Sequence, residues 1–338
     1  MQNLAVSEAL QDTIAHNGIG NCAPMKARTR LNRSALRGAQ EAGIAPHRHQ
    51  GRPQWLALAN QLQELELTYD SEKRILWQYM VPDGRPSFTH GLIRDISATL
   101  DLVERVCAES ESGDSPISYL VLGSHIPGMF NLGGHLPLFM QLIEQKDRAS
   151  LRRYAHACIN EQYRWAVNHN LPVCTIALVQ GDALGGGFEA ALAHNVIVAE
   201  KSAKFGLPEV LFNLFPGMGA YSFLSRRLDA TRAERMILSG RVYSAEELHE
   251  IGVIDRVAED GEGVRAVYDL IRERERSRSA WQAVIKARQI VNPITRKELI
   301  DITDLWVETA LSLSAGDLRR MRHLATAQDR RWAKTWAH

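Results

Sequence analysis

The amino-acid sequence predicts an α/β fold in which pairs of strands, rather than single strands, alternate with helices. Three observations predict it. An apolar strand, Cys174 to Val179, feeds the run Gln180-Gly181-Asp182-Ala183-Leu184-Gly185-Gly186-Gly187-Phe188-Glu189, and an alanine-rich helical pattern follows from Glu189 to His194. Glu64 to Tyr69 and Arg74 to Val81 alternate apolar and polar residues about Asp70-Ser71-Glu72-Lys73, the pattern of a hairpin. From Ser225 onward the chain is mostly of helical period. Two strands and then a helix, repeated, departs from the strict strand–helix alternation of a doubly wound sheet.

Taken in order, Leu92, Ile96, Leu100, Val103 and Val106 keep helical spacing after the hairpin. A short apolar strand, Tyr119 to Leu122, breaks at Gly123 into His125-Ile126-Pro127-Gly128. Phe130-Asn131-Leu132-Gly133-Gly134-His135 is a second glycine-bearing turn, followed by an apolar run to Ile143. Leu151, Tyr154, Ala155, Cys158, Ile159 and Tyr163 share one face of a long helix, with Arg152 and Arg153 off it. Val196 to Ala199 forms another strand ahead of Phe205-Gly206-Leu207-Pro208-Glu209. Ser244-Ala245-Glu246-Glu247 is a capping box that starts a helix. Leu299, Ile302, Leu305, Trp306, Leu311, Met321 and Leu324 recur at helical spacing near the C-terminus.

A chain of 338 residues with 45% apolar content can bury a sizeable core. A formal net charge of +1 announces neither nucleic acid nor a charged membrane surface, and the apolar stretches fall short of a membrane span. Cys22, Cys107, Cys158 and Cys174 lie far apart without metal-ligand spacing, which reads as reduced thiols in a cytoplasmic protein. Residues 1–55 differ: Lys26, Arg28, Arg30, Arg33 and Arg37 recur among small and polar residues, and His47 and His49 lack partners for a metal. They are expected to form a poorly ordered basic extension, followed by a core over 56–260 and a helical region over 261–338.

The chemistry concentrates on two glutamates twenty positions apart (209 − 189 = 20), Glu189 and Glu209. A glycine triplet on its own is an ordinary turn, and either acid on its own is an ordinary first-turn residue. Their combination with a second turn at Gly133-Gly134 is informative. Two glycine turns can each supply one backbone N–H to an oxyanion, and two carboxylates can divide acid and base work. Burial would raise their pKa values, while a helix N-terminus would lower that of Glu189.

At these residues the chain resembles the crotonase, or enoyl-CoA hydratase/isomerase, superfamily. Gly181 to Glu189 is similar to its second oxyanion motif with the first catalytic glutamate, and Phe205 to Glu209 to its second-glutamate motif. Phe215-Pro216-Gly217-Met218-Gly219, Ser239-Gly240-Arg241-Val242-Tyr243-Ser244-Ala245-Glu246-Glu247 and Ile251-Gly252-Val253-Ile254-Asp255-Arg256-Val257 continue the pattern, so that the match covers about residues 60–335. Within the superfamily the chain is most similar to the bacterial diffusible-signal-factor (DSF) synthases. That likeness rests on Phe130 to Gly134, Ala177 to Gly181, Leu207 to Phe212 and, above all, Leu214 to Phe223.

The resemblance implies a spiral of ββα repeats with C-terminal helices that build a homotrimer or a dimer of trimers. It implies a 3-hydroxyacyl chain carried on acyl carrier protein, dehydrated to the cis-2-enoyl thioester and released as a free unsaturated fatty acid by a thioesterase step. Glu189 and Glu209 would be the acid–base pair, in an order the sequence leaves open. Gly186 with Gly133 or Gly134 would form the oxyanion hole, with Gly134 favoured by the family pattern. No metal or redox cofactor is implied. A sensor histidine kinase is a further implied partner.

Trp306, Leu324, Met321 and Leu311 are candidates for the acyl pocket, beside an ordinary packing role for each. His135 stands where many family members have Asp, and reads as a helix-start substitution. No lysine lies in Gly123 to Gly134, and Lys146, Arg148, Arg152 and Arg153 offer an exposed basic face to an acidic carrier protein or simply to solvent. The alternatives are a CoA-dependent enoyl hydratase or isomerase that keeps the thioester, and an acyl-binding regulator of a sensor kinase.

Overall fold

The computed structural model describes residues 53–82, 84–110 and 115–336. The chain divides into two units, Met1–Arg33 and Ser34–His338, and the described residues belong to the second. The expected basic extension lies outside the described residues apart from its last three positions. There the reading needs correction: a 3-10 turn, Gln54–Asn60, already belongs to the fold, because Leu56 is buried and Trp55 sits edge-on to Tyr69.

The expected hairpin is β1 (Leu65–Asp70) and β2 (Ile75–Met80), antiparallel, with Lys73 N donating to Asp70 Oδ1 in the turn. Helix α1 (His90–Ala108) starts where Thr89 Oγ1 accepts from Leu92 N, and it buries Leu92, Ile96, Leu100 and Val103. Then come β3 (Tyr119–Ser124), β4 (Gly128–Asn131), α2 (Leu136–Glu144) and α3 (Arg148–Ala166). A second repeat is β5 (Cys174–Val179), β6 (Gly181–Leu184) and α4 (Gly186–Leu192). A third is β7 (Val196–Glu200), β8 (Lys204–Gly206), a 3-10 turn (Pro208–Phe212), α5 (Ala220–Arg227) and α6 (Ala230–Ser239). Strand β9 (Val242–Ser244), α7 (Ala245–Glu250) with its capping box, and β10 (Arg256–Ala258) finish the core. Four helices follow: α8 (Gly263–Glu275), α9 (Arg278–Val291), α10 (Arg296–Leu311) and α11 (Ala315–Trp336).

Each repeat divides its strands between two sheets. The first strand joins a six-stranded sheet of order β1-β2-β3-β5-β7-β10, parallel from β2 onward. The second joins a four-stranded sheet, β4-β6-β8-β9, in which β4, β6 and β8 are parallel and β9 is antiparallel. The chain therefore winds as a spiral of ββα turns, the crotonase-like architecture expected above. Strand β5 is buried along its whole length, as a central parallel strand covered on both faces must be.

The small sheet is what positions the site. Because β4, β6 and β8 run the same way, their C-terminal ends share one edge. The turns leaving that edge are Leu132-Gly133-Gly134, Gly185-Gly186 and Leu207-Pro208-Glu209. The Gly185 amide donating to Gly206 O at 2.8 Å ties the second of these turns to the third. Three segments far apart in sequence thus meet at one point.

Candidate active site

Gly185 caps α4 at φ +53°, in the left-handed region that favours glycine, and a Cβ there would stand 2.6 Å from Glu209 Oε1. The first turn is pressed against the second just as closely. A Cβ on Gly133 (φ +86°) would fall 2.6 Å from Gly186 N, and one on Gly186 would lie 3.4 Å from Gly134 N.

The Gly134 and Gly186 amides donate to no other group among the described residues, and both residues line one cavity. Gly133 does not. Its amide is spent on Asn131 Oδ1 at 2.7 Å and it does not line the cavity, so the pair of free amides at the cavity is Gly134 with Gly186. Two N–H donors at the start of a helix and after a strand, with no internal acceptor, are the arrangement that stabilises a developing oxyanion.

Glu189 lies in the first turn of α4 and is 1% exposed. Its Oε1 accepts from Met218 N (2.7 Å) and Ala220 N (3.0 Å). The Leu214–Phe223 run, distinctive in sequence, therefore carries the clamp of the first glutamate. Gln162, buried on α3, backs this clamp: one end of its amide lies 2.6 Å from Met218 O, and because a carbonyl can only accept, that end is assigned as the NH2. Glu209 sits in the 3-10 turn after β8, and its Oε2 is buried without a hydrogen-bond partner. Burial pushes Glu209 up to about 7. Burial, followed by the charge of Glu209, raises Glu189 well above the usual carboxylate range, against the pull of its two amides. Of the two opposing effects foreseen for Glu189, burial wins because the α4 terminus is wholly inside the core.

The cavity, counted together with its open mouth, spans about 610 Å³ of space between atoms. Both glutamates open into it, and its walls are chiefly apolar, with Leu136, Phe139, Trp306 and Leu324 prominent. Trp306 on α10 packs on the bare backbone of Gly217, where a Cβ would stand 2.3 Å from its Cγ, and lies edge-on to Phe139 at 5.1 Å. Two of the four acyl-pocket candidates need correction. Met321 is wholly buried in the main core and does not line the cavity, and Leu311, at the end of α10, packs on that core without lining it either. Their helical spacing matched that of Trp306 and Leu324, but they occupy different faces or turns. Sequence reasoning also missed Phe139, Tyr154, Met218 and Gln328, all of them lining residues.

His135 caps α2, its Nδ1 accepting from Leu138 N at 3.2 Å, and burial followed by the Arg85 charge lowers its pKa. The basic face is largely committed to the fold. Arg148 pairs with Glu308 and Arg152 with Asp304, while Lys146 donates to Leu311 O. Cys158 and Cys174 are buried and unpaired, and Cys107 is half-buried and unpaired. No described helix is long and apolar enough to cross a membrane.

A spiral of ββα repeats, with two free glycine amides and two glutamates at one cavity, is the signature of the crotonase superfamily. Residues 109–303 match the family described as Enoyl-CoA hydratase/isomerase, and the chain belongs to that family. Mitochondrial methylglutaconyl-CoA hydratase of Homo sapiens is 33% identical over 196 residues, which is 56% of this chain and 53% of that protein. A mevalonyl-coenzyme A hydratase of Beauveria bassiana is 45% identical over 89 residues, 26% of this chain and 32% of its own length. The chain thus spans about half or less of the length of these curated relatives. Among solved structures, the enoyl-CoA hydratase of Bacillus halodurans superposes with a TM-score of 0.63 at 20% identity, covering 77% of this chain and 100% of that one. DspI of Pseudomonas aeruginosa superposes with a TM-score of 0.53 at 22% identity, over 71% of this chain and 88% of its own. At such identities these likenesses establish the fold.

Proposed function

We propose that the protein makes a cis-2-unsaturated fatty acid signal from a 3-hydroxyacyl thioester on acyl carrier protein, by dehydration followed by thioester hydrolysis. The observation that carries the chemistry is the meeting of Glu189 and Glu209 at the cavity beside the two unspent amides of Gly134 and Gly186. The thioester oxygen accepts from both amides, which stabilise the enolate formed when the C2 proton leaves. Each such donor contributes roughly 10²–10³ in rate.

Glu209, which burial pushes up to about 7, presents its partner-free Oε2 as the base that takes the C2 proton. Glu189, which burial raises well above the usual carboxylate range, holds the proton and delivers it to the 3-hydroxyl, which departs as water. In the second stage water adds to the thioester carbon, the ionised glutamate takes its proton, and the carrier thiol leaves with one. The apolar wall of Leu136, Phe139, Trp306 and Leu324 suits a fatty chain. Exposed Val284, Ile290, Val291 and Leu305 on α9 and α10 suit burial against further copies of the chain in a trimer.

The names of the curated relatives favour a second reading, a CoA-dependent hydratase that retains the thioester. Product analysis on purified protein given 3-hydroxydodecanoyl acyl carrier protein separates the two. Free cis-2-dodecenoic acid, absent with Glu189→Gln and Glu209→Gln, is the expected result. A trans-enoyl thioester with no free acid, or turnover of the CoA substrate alone, moves the assignment to the hydratase. No turnover of either substrate leaves an acyl-binding regulatory role.

A further inference from the structure

Most polar side chains of the cavity are already committed. Tyr154 donates its hydroxyl to Phe88 O, Thr303 donates to Gly217 O at 3.1 Å, and the two glutamates are the acid–base pair. Gln328 on α11 is the exception. It is 7% exposed, lines the cavity, and has one described hydrogen bond, in which its Oε1 accepts from Arg85 Nη2. A guanidinium can only donate, so Arg85 fixes which end of the amide it faces. Arg85 is itself anchored through Nη1 to Asp329 Oδ1 at 2.6 Å, with its side chain 8% exposed. The Nε2 of Gln328 is left as an oriented donor with no acceptor among the described residues.

Its place along the cavity indicates what it meets. Pro86, the next residue after Arg85, accepts from Leu132 N at 2.7 Å, and Phe88 N donates to Gly133 O at 2.9 Å. Arg85 and Gln328 therefore stand beside the first oxyanion turn. One helical turn earlier Leu324 belongs to the apolar wall, and one turn later Trp332 leaves the cavity to pack on Ile126, Met129 and Leu132. The α11 face thus runs from apolar wall to polar donor to a packed aromatic beside the first glycine turn.

We propose that Gln328 is a specificity-determining residue whose Nε2 donates to an amide carbonyl of the pantetheine arm as it leaves the cavity, with Arg85 as the residue that positions it. This rests on the reading of the ligand as an acyl thioester, but not on which reaction follows. Pantetheine is common to CoA and acyl carrier protein, so the same contact serves either source.

The test is equilibrium binding of non-cleavable thioethers, which needs no turnover. A 2-oxotridecyl group is carried on pantetheine in one ligand and on a plain propyl thioether in the other. Gln328→Glu keeps an oxygen for Arg85 but loses the donor, and Gln328→Leu removes both. In each variant the preference for the pantetheine ligand falls by about tenfold, while affinity for the propyl ligand is kept. Gln328→Glu supports the result if Gln328→Leu fails to fold. The same ketone on CoA and on carrier protein shows which source the wild type binds more tightly, with the same loss expected for whichever it is. Equal losses for both thioethers, or no loss, overturn the contact and leave the acyl-thioester reading standing. Failure of the wild type to bind either thioether overturns both.

Discussion

Glu189 and Glu209 face one cavity, yet the two segments that carry them are built on opposite terms. Glu189 is set in a helix, enclosed by the core, and clamped through one oxygen by two backbone amides. Glu209 rides on a five-residue 3-10 turn whose neighbour Leu211 is 54% exposed, and one of its oxygens is buried with no partner. The difference separates two ways of holding a carboxylate at one cavity. At Glu189 the fold gains from the group it positions; at Glu209 it bears the cost of an unsatisfied one.

The largest expected effect tests whether both arrangements serve one reaction. Glu189→Gln and Glu209→Gln keep shape and remove the titrating group, and each is expected to lower the dehydration rate by roughly 10²–10⁴. Steady-state kinetics on the 3-hydroxyacyl thioester gives the answer, and a variant that keeps full activity removes its glutamate from the mechanism. Next in size is Gly186→Ala. A Cβ there would stand 2.8 Å from Met218 Sδ, so it disturbs the free Gly186 amide and the Glu189 clamp together. A fall of about 10²–10³ in kcat is expected, with a smaller change in KM.

The third effect sharpens the comparison because its sign differs between the two sites. Glu189→Ala strands the Met218 and Ala220 amides inside the core and is expected to cost about 1–3 kcal/mol of stability. Glu209→Gln is expected to do the reverse, and only at high pH. Glu209 holds its proton up to about 7 in the fold and only to the ordinary 4.5 when unfolded, so between those values the folded state binds more protons. Wild-type stability therefore falls as pH rises through that window, and the variant escapes the fall. At pH 8 Glu209→Gln should be more stable than wild type by about 1–3 kcal/mol, and at pH 4.5 the two should nearly coincide. Urea unfolding at both pH values measures it.

This contrast also marks what sequence could and could not reveal. Both glutamates, the glycine turns and the long elements were legible, because they carry motif spacing or a sustained period. The small sheet was not: β4, β6 and β8 are three or four residues long, too short to show an alternation, and only their shared C-terminal edge explains why the turns meet. Gly134 could be separated from Gly133 only when the Asn131 side chain was seen to hold the latter's amide. Trp306 and Met321 had equivalent helical spacing, and it was the bare backbone of Gly217 that drew one of them to the cavity. Gln328 had no signal at all, since its role depends on Arg85, 243 positions away.

A third carboxylate places both glutamates on a scale and gives the smallest effect. Asp304 on α10 accepts two parallel hydrogen bonds from Arg152 on α3, at 2.7 and 2.9 Å, and a third contact from His156 at 2.6 Å. These bonds, Arg152 first, lower its pKa to about 2, the opposite direction from the glutamates. A depressed carboxylate contributes stability that is full above its unfolded value near 3.8 and is lost as pH falls through about 2. Yet the Arg152 and Asp304 side chains are 43% and 31% exposed, so water screens the pair and much of the attraction is returned to solvent. Arg152→Ala should therefore cost no more than about 1 kcal/mol at neutral pH, less in high salt, and leave turnover unchanged. A loss as large as that of Glu189→Ala would mean that the α3–α10 contact, and with it the seat of Trp306, depends on a surface ion pair rather than on the apolar packing beneath it.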